Sequence, residues 1–169
     1  MMKFARLALF LAIPALLFFS RADAEEGDFF FAPEFGWSHF FGSAVKDGFF
    51  TGARFGYDTS DKLTIDLLFY YGDNNGVGAN PGLKYILGGG GVTYKYRYKF
   101  IKTSAFAGAD ITSLKFSGIN KLYKGGLYFG GAVEFYLNKV ISLGLCYQYT
   151  PLFKSKDISL LGFRMGFEL

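Results

Sequence analysis

Cysteine, long apolar runs and net charge are all scarce in this sequence. The single cysteine, Cys146, cannot form an internal disulfide, and in an oxidising compartment a lone thiol is best kept buried. After residue 24 no uncharged apolar stretch reaches about 18 residues, which excludes membrane-spanning helices from that part of the chain. The formal net charge of +4 is too small to indicate a nucleic acid partner.

Aromatic residues and glycine are abundant by contrast. The chain has 22 Phe, 12 Tyr and 23 Gly, a composition rich in strand-forming side chains and permissive backbone. Its apolar residues are spread over short segments, where they alternate with small or polar residues. Because successive side chains of a strand point to opposite faces, each segment predicts a strand with one apolar face. Lipid offers no water to pair backbone groups, so such strands favour a closed barrel.

Residues 1–24 have the three parts of a secretory signal peptide. Basic residues stand near the start, residues 7–19 form an apolar run, and Ala-Asp-Ala at 22–24 fits a small-x-small cleavage site. The run is short for a membrane span, which needs ~20 residues. We therefore expect cleavage before Glu25 and a single mature domain over residues 25–169. Removing the three basic residues and one acid of the leader lowers the net charge to +2.

Eight segments of the mature chain show the alternating pattern. Strands of this length suit a tilted membrane crossing, which takes roughly 9–11 residues. The predicted strands are Asp28–Phe40, Gly48–Asp58, Leu63–Tyr71, Gly88–Lys99, Thr103–Phe116, Gly125–Leu137, Val140–Tyr149 and Ile158–Leu169.

The links between these segments alternate in length. Those after the second, fourth and sixth strands are short, and those after the odd-numbered strands are longer, up to residues 72–87 with their Asn-Gly and Pro-Gly turn signals. Short turns at one end and longer loops at the other are typical of an up-and-down outer-membrane barrel. We therefore predict an all-β fold, an eight-stranded antiparallel up-and-down transmembrane β-barrel, with both chain ends at the short-turn end.

Charge is segregated to one face of the predicted strands. A lysine or arginine facing lipid at mid-depth costs ~2–4 kcal/mol, so we assign the charged face to the interior. An eight-stranded barrel has room only for side chains or one small ligand, which favours a filling of salt bridges over an ion path. The predicted interior network consists of Glu34, Arg54, Asp66, Lys95, Arg97, Asp110, Glu134, Arg164 and Glu168.

The last twelve residues show the alternation most clearly. Their apolar face consists of Leu161, Phe163, Met165, Phe167 and Leu169, and the last four are predicted to act as an assembly signal. With the leader and loop rhythm, this strand makes the chain resemble the small eight-stranded outer-membrane barrels of the OmpA transmembrane-domain and OmpX type. Closing strands in that family usually end on Phe or Trp; here the terminal aromatic is Phe167.

The resemblance implies a protein integral to the bacterial outer membrane, without an open pore, that serves envelope integrity or surface interaction as a monomer. The partners it implies are periplasmic chaperones and the barrel-insertion machinery, which reads the last strand. Three alternatives stay open: a lipid-modifying barrel enzyme, a narrow pore, and a soluble lipocalin-like carrier with its apolar face inside.

No catalytic pair stands out along the chain. His39, the only histidine, has Phe41 where the outer-membrane lipid A deacylases have the serine of a His-x-Ser pair. Cys146 has no histidine on its strand, and Gly88–Gly91 lacks the phosphate-loop pattern. We therefore expect no catalytic activity, no cofactor and no metal.

The long links are rich in lysine. Seven lysines on these links and their strand edges face three aspartates, which leaves this end positive. Lysines near an anionic membrane surface contribute ~1 kcal/mol each, so we expect this end to contact lipopolysaccharide phosphates; a merely solvated crown of lysines is an equal alternative. The expected contacts are Lys121, Lys124, Lys154 and Lys156.

Overall fold

The computed structural model describes residues 28–41, 45–76, 82–116, 121–152 and 157–169. Within these ranges every strand pairs with its neighbours in sequence, and β1 pairs with β8 to close an antiparallel barrel. The predicted eight-stranded all-β fold is therefore confirmed. The predicted signal peptide lies outside the described residues and stays a prediction. The strands are β1 (Phe29–Phe40), β2 (Val45–Ser60), β3 (Leu63–Gly76), β4 (Leu83–Tyr98), β5 (Ile101–Phe116), β6 (Leu122–Tyr136), β7 (Ile141–Thr150) and β8 (Ile158–Glu168).

The seam between the first and last strands runs for almost their whole length. The paired positions extend from Phe30 opposite Glu168 to Phe40 opposite Ile158. Backbone hydrogen bonds from Phe29 N to Leu169 O (3.2 Å) and from Leu169 N to Phe29 O (2.7 Å) extend the ladder at the end of the chain. Closure leaves neither strand with an exposed edge that could pair with another chain.

The two ends of the barrel differ as the sequence predicted. The short-turn end carries the links 61–62, 99–100 and 137–140 together with Asp28 and Leu169. Each of the first two turns has only two residues, and Lys99 adopts a left-handed φ of 52°. The opposite end, named the long-link end here, carries the links after β1, β3, β5 and β7.

The strands extend further at the long-link end than the sequence predicted. We expected a loop over residues 72–87, but β3 continues to Gly76 and β4 begins at Leu83. Residues Gly72, Asp73 and Asn74 stay paired with β4 despite their turn-forming sequence. The ladder supplies backbone partners on both sides, and this outweighs the local turn preference. For the same reason β2 begins at Val45 and β6 at Leu122, earlier than the predicted Gly48 and Gly125.

The outer surface of the barrel is a belt of exposed apolar side chains. Leu67, Phe69, Val92, Leu127 and Leu145 lie near its middle, each about half exposed or more to the surroundings. A surface of this kind is stable only against lipid. No helix in the described ranges is long and apolar enough to cross a bilayer, a finding that has no bearing on crossing by strands. Aromatic rings flank the belt on both sides, as interfacial girdles do: Phe29, Tyr57, Tyr94, Tyr96, Tyr98 and Phe100 towards the short-turn end, and Trp37, Phe41, Phe49, Tyr71, Tyr123 and Tyr147 towards the long-link end.

The interior divides into a charged part and an apolar part. Inward side chains towards the long-link end form one buried cluster, named the apolar plug here, that extends down to the charged residues. The predicted filling of salt bridges is present in the middle and at the short-turn end. Nearer the long links most large inward side chains are aliphatic or aromatic, with the buried polar Ser38, Asn74 and Thr112 among them. The plug consists of Phe40, Phe50, Leu68, Tyr70, Leu83, Tyr85, Leu87, Phe106, Leu114, Tyr128, Leu152, Ile158 and Leu160.

Candidate functional site

The candidate site is the charged interior, which the strand period of two builds. Inward positions of neighbouring strands lie at the same depth, so charges far apart in sequence meet across the lumen. Eight of the nine residues predicted for this network are buried, and the ninth, Arg97, has a side chain that is 43% exposed at the short-turn end.

Arg54 lies at the centre of the network. Its guanidinium donates to Asp66 (Nη1 to Oδ1, 3.0 Å) and to Gln148 (Nη2 to Oε1, 3.0 Å), and it lies 3.9 Å from the centre of the Phe106 ring. Glu34 is a longer-range partner, 3.7 Å from Nε. A fully buried arginine is tolerated only when its charge is balanced and its donors are used. These contacts balance the charge and use both terminal nitrogens, while Nε is buried without a hydrogen-bond partner in the described ranges.

Arg164 joins three strands through two glutamates. It donates to Glu34 Oε1 from Nε (2.9 Å) and from Nη2 (2.6 Å), across the β1–β8 seam. Its Nη1 lies 3.7 Å from Glu134 Oε2 on β6. Glu34 also accepts from the Tyr70 hydroxyl (2.7 Å) and lies 3.3 Å from the Cys146 sulfur, so this thiol is buried against a carboxylate.

A second group of charges lies towards the short-turn end. Lys102 lies between Glu134 (3.3 Å) and Glu168 (3.2 Å), and Arg97 also pairs with Glu168. Because Glu134 contacts both Lys102 and Arg164, the two groups form one continuous network. Glu168 thus pairs with bases from β4 and β5, on the opposite side of the lumen.

The sequence reasoning missed two interior charges. Lys102 was placed in a link, but β5 begins at Ile101 and turns this side chain inward. Asp58 was taken as the end of a strand, yet it is buried, pairs with Lys95 and accepts a hydrogen bond from Thr64 (2.6 Å). Extending the alternation by a residue or two beyond the apolar positions would have found both.

Asp110 differs from the other interior carboxylates. It is buried on β5, and within the described ranges it makes no ion pair. Its Oδ1 lies 3.4 Å from the Thr112 hydroxyl, and its Oδ2 is buried without a hydrogen-bond partner there. The predicted network therefore contains eight residues that pair and one that stays apart.

Two sets of side chains fill the interior of the described residues and hold the barrel together. The plug lies towards the long-link end, and the paired charges lie in the middle and at the short-turn end. The described ranges contain no group of His, Cys, Asp and Glu that could hold a metal ion.

The predicted assembly residues lie on the outer side of β8. Phe163, Met165 and Leu169 are exposed, and Phe163 packs between Phe35 and Trp37 of β1. Phe167 is only 9% exposed and stacks on Phe31 at 6.1 Å between ring centres, so it is not the open lipid-facing ring we expected. Phe31 of β1 lies directly opposite it in the seam register.

The lysines expected at the long-link end are only partly described. Lys121 is exposed, whereas Lys124 is half-buried and shares the inward face of Gly126 and Tyr128. Lys154 and Lys156 lie outside the described residues. Lys84 stands at this rim opposite Lys115 and forms an ion pair with Asp73 (Nζ to Oδ2, 3.3 Å).

Solved structures of small outer-membrane barrels are similar to this chain. The Neisserial surface protein A (NspA) matches with a TM-score of 0.65 and 14% identity over 83% of this chain and 97% of that one. Ail, the attachment invasion locus protein of Yersinia pestis, gives 0.62 and 15% over 85% and 99%. The N-terminal β-barrel domain of OprF from Pseudomonas aeruginosa gives 0.60 and 13% over 88% and 100%.

No protein-family model matches the chain, and no curated protein sequence matches it. At identities this low the similarity shows the fold. Together with the apolar belt and the polar interior, it defines the class: a small eight-stranded β-barrel of the outer-membrane type.

Proposed function

We propose that this chain is an integral protein of the bacterial outer membrane, exported through a cleaved signal peptide, that has no open channel and serves envelope integrity or surface interaction. The observation that supports the proposal is the dense packing of side chains in the lumen. Leu83, Leu87, Leu160 and Ile158 are each at most 2% exposed, and Arg54 and Arg164 are paired directly below the plug. An interior of this kind supports a rigid scaffold for the outer surface.

The proposed closure of the lumen gives the first test. Wild-type protein in a planar bilayer should show no defined conductance steps, because the plug leaves no continuous polar path for ions. Leu83→Ala/Leu160→Ala should raise the ion leak by removing inward side chains. The control Ile86→Ala/Leu161→Ala removes exposed side chains from the same two strands. Its ion leak should equal that of the wild type. Regular steps from the wild type would instead favour the narrow pore.

The rim at the long-link end is proposed to face outward and to contact lipopolysaccharide. Lys121 is exposed there, and Lys84 and Lys115 stand side by side on β4 and β5. Two adjacent lysines repel one another unless an anion lies between or beside them, and Asp73 neutralises only one. Lipid phosphates would supply the remaining counter-charge.

The lipopolysaccharide contact predicts a stability effect that depends on the lysines. Lipopolysaccharide in the vesicles should raise the unfolding midpoint of the wild type more than that of Lys121→Gln/Lys124→Gln/Lys154→Gln/Lys156→Gln. Each exposed lysine that is lost contributes ~1 kcal/mol at an anionic surface, whereas Lys124, half-buried on the inward face, should contribute less. The matched control Lys62→Gln/Lys99→Gln/Lys139→Gln removes lysines of the short-turn end and should keep the full response. If lipopolysaccharide raised the unfolding midpoint equally in all three proteins, the lysines would only be solvated and would not contact lipopolysaccharide.

A further inference from the structure

One row of polar side chains crosses the outer surface at the long-link end. His39 of β1 lies directly opposite Ser159 of β8 in the seam register. On its other side, His39 Nδ1 lies 2.5 Å from Asp47 Oδ1 of β2. All three belong to the outward set of their strands, so the order across the surface is Asp47, His39, Ser159.

The arrangement leaves one nitrogen of the imidazole and the serine hydroxyl available. Asp47 engages Nδ1 and so directs Nε2 away from β2. Opposed residues in an antiparallel pair have Cβ atoms ~4.5–5.5 Å apart, which puts the Ser159 hydroxyl within reach of that nitrogen after a rotamer change. Within the described ranges the Ser159 side chain makes no hydrogen bond, so its hydroxyl is available to the imidazole.

Two aromatic residues, Tyr149 and Phe41, lie near the serine at the long-link rim. Tyr149 of β7 is the other cross-strand neighbour of Ser159. The Phe41 ring lies edge-on to both, 4.8 Å from His39 and 5.9 Å from Tyr149, so it spans the position between them. The Phe41 amide donates to the Asp157 carbonyl (3.1 Å), which fixes this ring against the start of β8.

The row lies where lipid ester groups lie. One side-chain layer closer to the belt are the exposed Trp37, Phe49, Tyr147 and Leu161, which mark the edge of the apolar surface. Two residues along a strand correspond to about 6–7 Å, so the row stands just beyond that edge. The interfacial layer next to the hydrocarbon core is where acyl esters meet water.

We infer that Ser159, His39 and Asp47 form a hydrolytic site for carboxylic esters of membrane lipids at the long-link rim. Serine is the nucleophile, histidine the general base, and Asp47 is a positioning residue that holds the imidazole tautomer and orientation. The inference uses the membrane placement of the barrel but not the lysine contacts.

The reaction needs only lipid and water. Ser159 Oγ attacks the acyl carbonyl carbon while its proton passes to His39 Nε2. The carbon–oxygen bond to the lipid alcohol then breaks, and the alcohol leaves with that proton. A water molecule attacks the acyl-serine and gives its proton to His39, and the fatty acid departs as the serine recovers its hydrogen.

A fluorophosphonate probe tests the nucleophile without knowledge of the lipid. Protein folded in detergent should be labelled at Ser159, as located by peptide mass, and Ser159→Ala should lose that label. Labelling of His39→Gln should be slower by about 100-fold or more, because a positioned general base contributes ~10²–10⁴-fold. Asp47→Asn should slow labelling, and Asp47→Glu should restore part of the rate, which a purely structural role would not predict.

Ser113→Ala provides the matched control. Ser113 is an outward serine at the same end of β5, between Ile86 and Tyr123 and distant from the only histidine. This variant should be labelled at the wild-type rate, and all variants should keep the faster gel migration of the folded barrel. Absence of label at Ser159 in folded wild type, or an equal rate in His39→Gln, would overturn the inference.

The ester source is resolved by two vesicle arms. Fatty acid release is measured from lipopolysaccharide vesicles and from phosphatidylethanolamine vesicles, each with wild type and Ser159→Ala. Serine-dependent release from one arm identifies the substrate class. Release from neither would overturn lipid ester hydrolysis even if the probe reacts.

Discussion

Arg164→Ala should destabilise the folded barrel by ~3–5 kcal/mol, the usual cost of removing one partner from a buried ion pair. The substitution deletes the base that contacts both Glu34 and Glu134, and it leaves two buried carboxylates with less compensation. Arg54 still reaches Glu34 and Lys102 still reaches Glu134, so the fold should persist at low denaturant. Urea unfolding in detergent, followed by tryptophan fluorescence, measures the shift.

Arg97→Ala is the matched control for this prediction. It also removes an arginine paired with a glutamate, but its side chain is 43% exposed and Glu168 keeps Lys102 as a second partner. Exposed pairs contribute ~0–1 kcal/mol, so this variant should unfold close to the wild type. If the two variants shifted alike, burial would not govern the network.

Deletion of residues 167–169 should abolish assembly of the barrel. The deletion removes the Phe29–Leu169 hydrogen bonds, the Phe31–Phe167 stacking contact and Glu168, the partner of Lys102. Without these residues the seam opens at the short-turn end, and the edges of β1 and β8 are exposed to other chains. Expression in a diderm host, followed by outer-membrane fractionation and heat-modifiable gel migration, measures the loss.

Point substitutions separate the assembly signal from the seam packing. Phe167→Ser removes the stacked ring, whereas Met165→Ser changes an exposed neighbour on the same side of β8. The buried ring should matter more, because its contact with Phe31 is lost together with its apolar area. Normal surface-exposed protein from both the deletion and Phe167→Ser would contradict the assembly role of this strand.

The alternation of side chains predicted most of the architecture. The number of strands and the identity of the inward-facing residues follow from the period of two. An error of one residue would have turned Arg54 and Arg164 towards lipid. The extended β3–β4 ladder was not predictable in this way. Its backbone pairing is supplied by the neighbouring strand, while Asp73 and Asn74 by themselves favour a turn.

Pairings between distant strands were also beyond the sequence. Glu168 meets Arg97 and Lys102 only because the barrel closes and brings β8 across from β4 and β5. Ser159 meets His39 only through the seam register, 120 positions along the chain. Motifs that lie within a single strand, such as His-x-Ser, do not include a pair whose two members belong to different strands.

The position of the plug gives the two ends of the barrel different access to the interior charges. Bulk water and small ions approach from the short-turn end, where the Arg97 side chain is 43% exposed. With the lumen closed as proposed, the fully covered Leu83 and Ile158 block their approach from the long-link end. In a membrane with the long links outward, the interior charges would exchange water and ions with the periplasm but not with the external medium. Salt or denaturant added to the outside of sealed vesicles would then leave the Glu168 pairs untouched until the barrel itself unfolded.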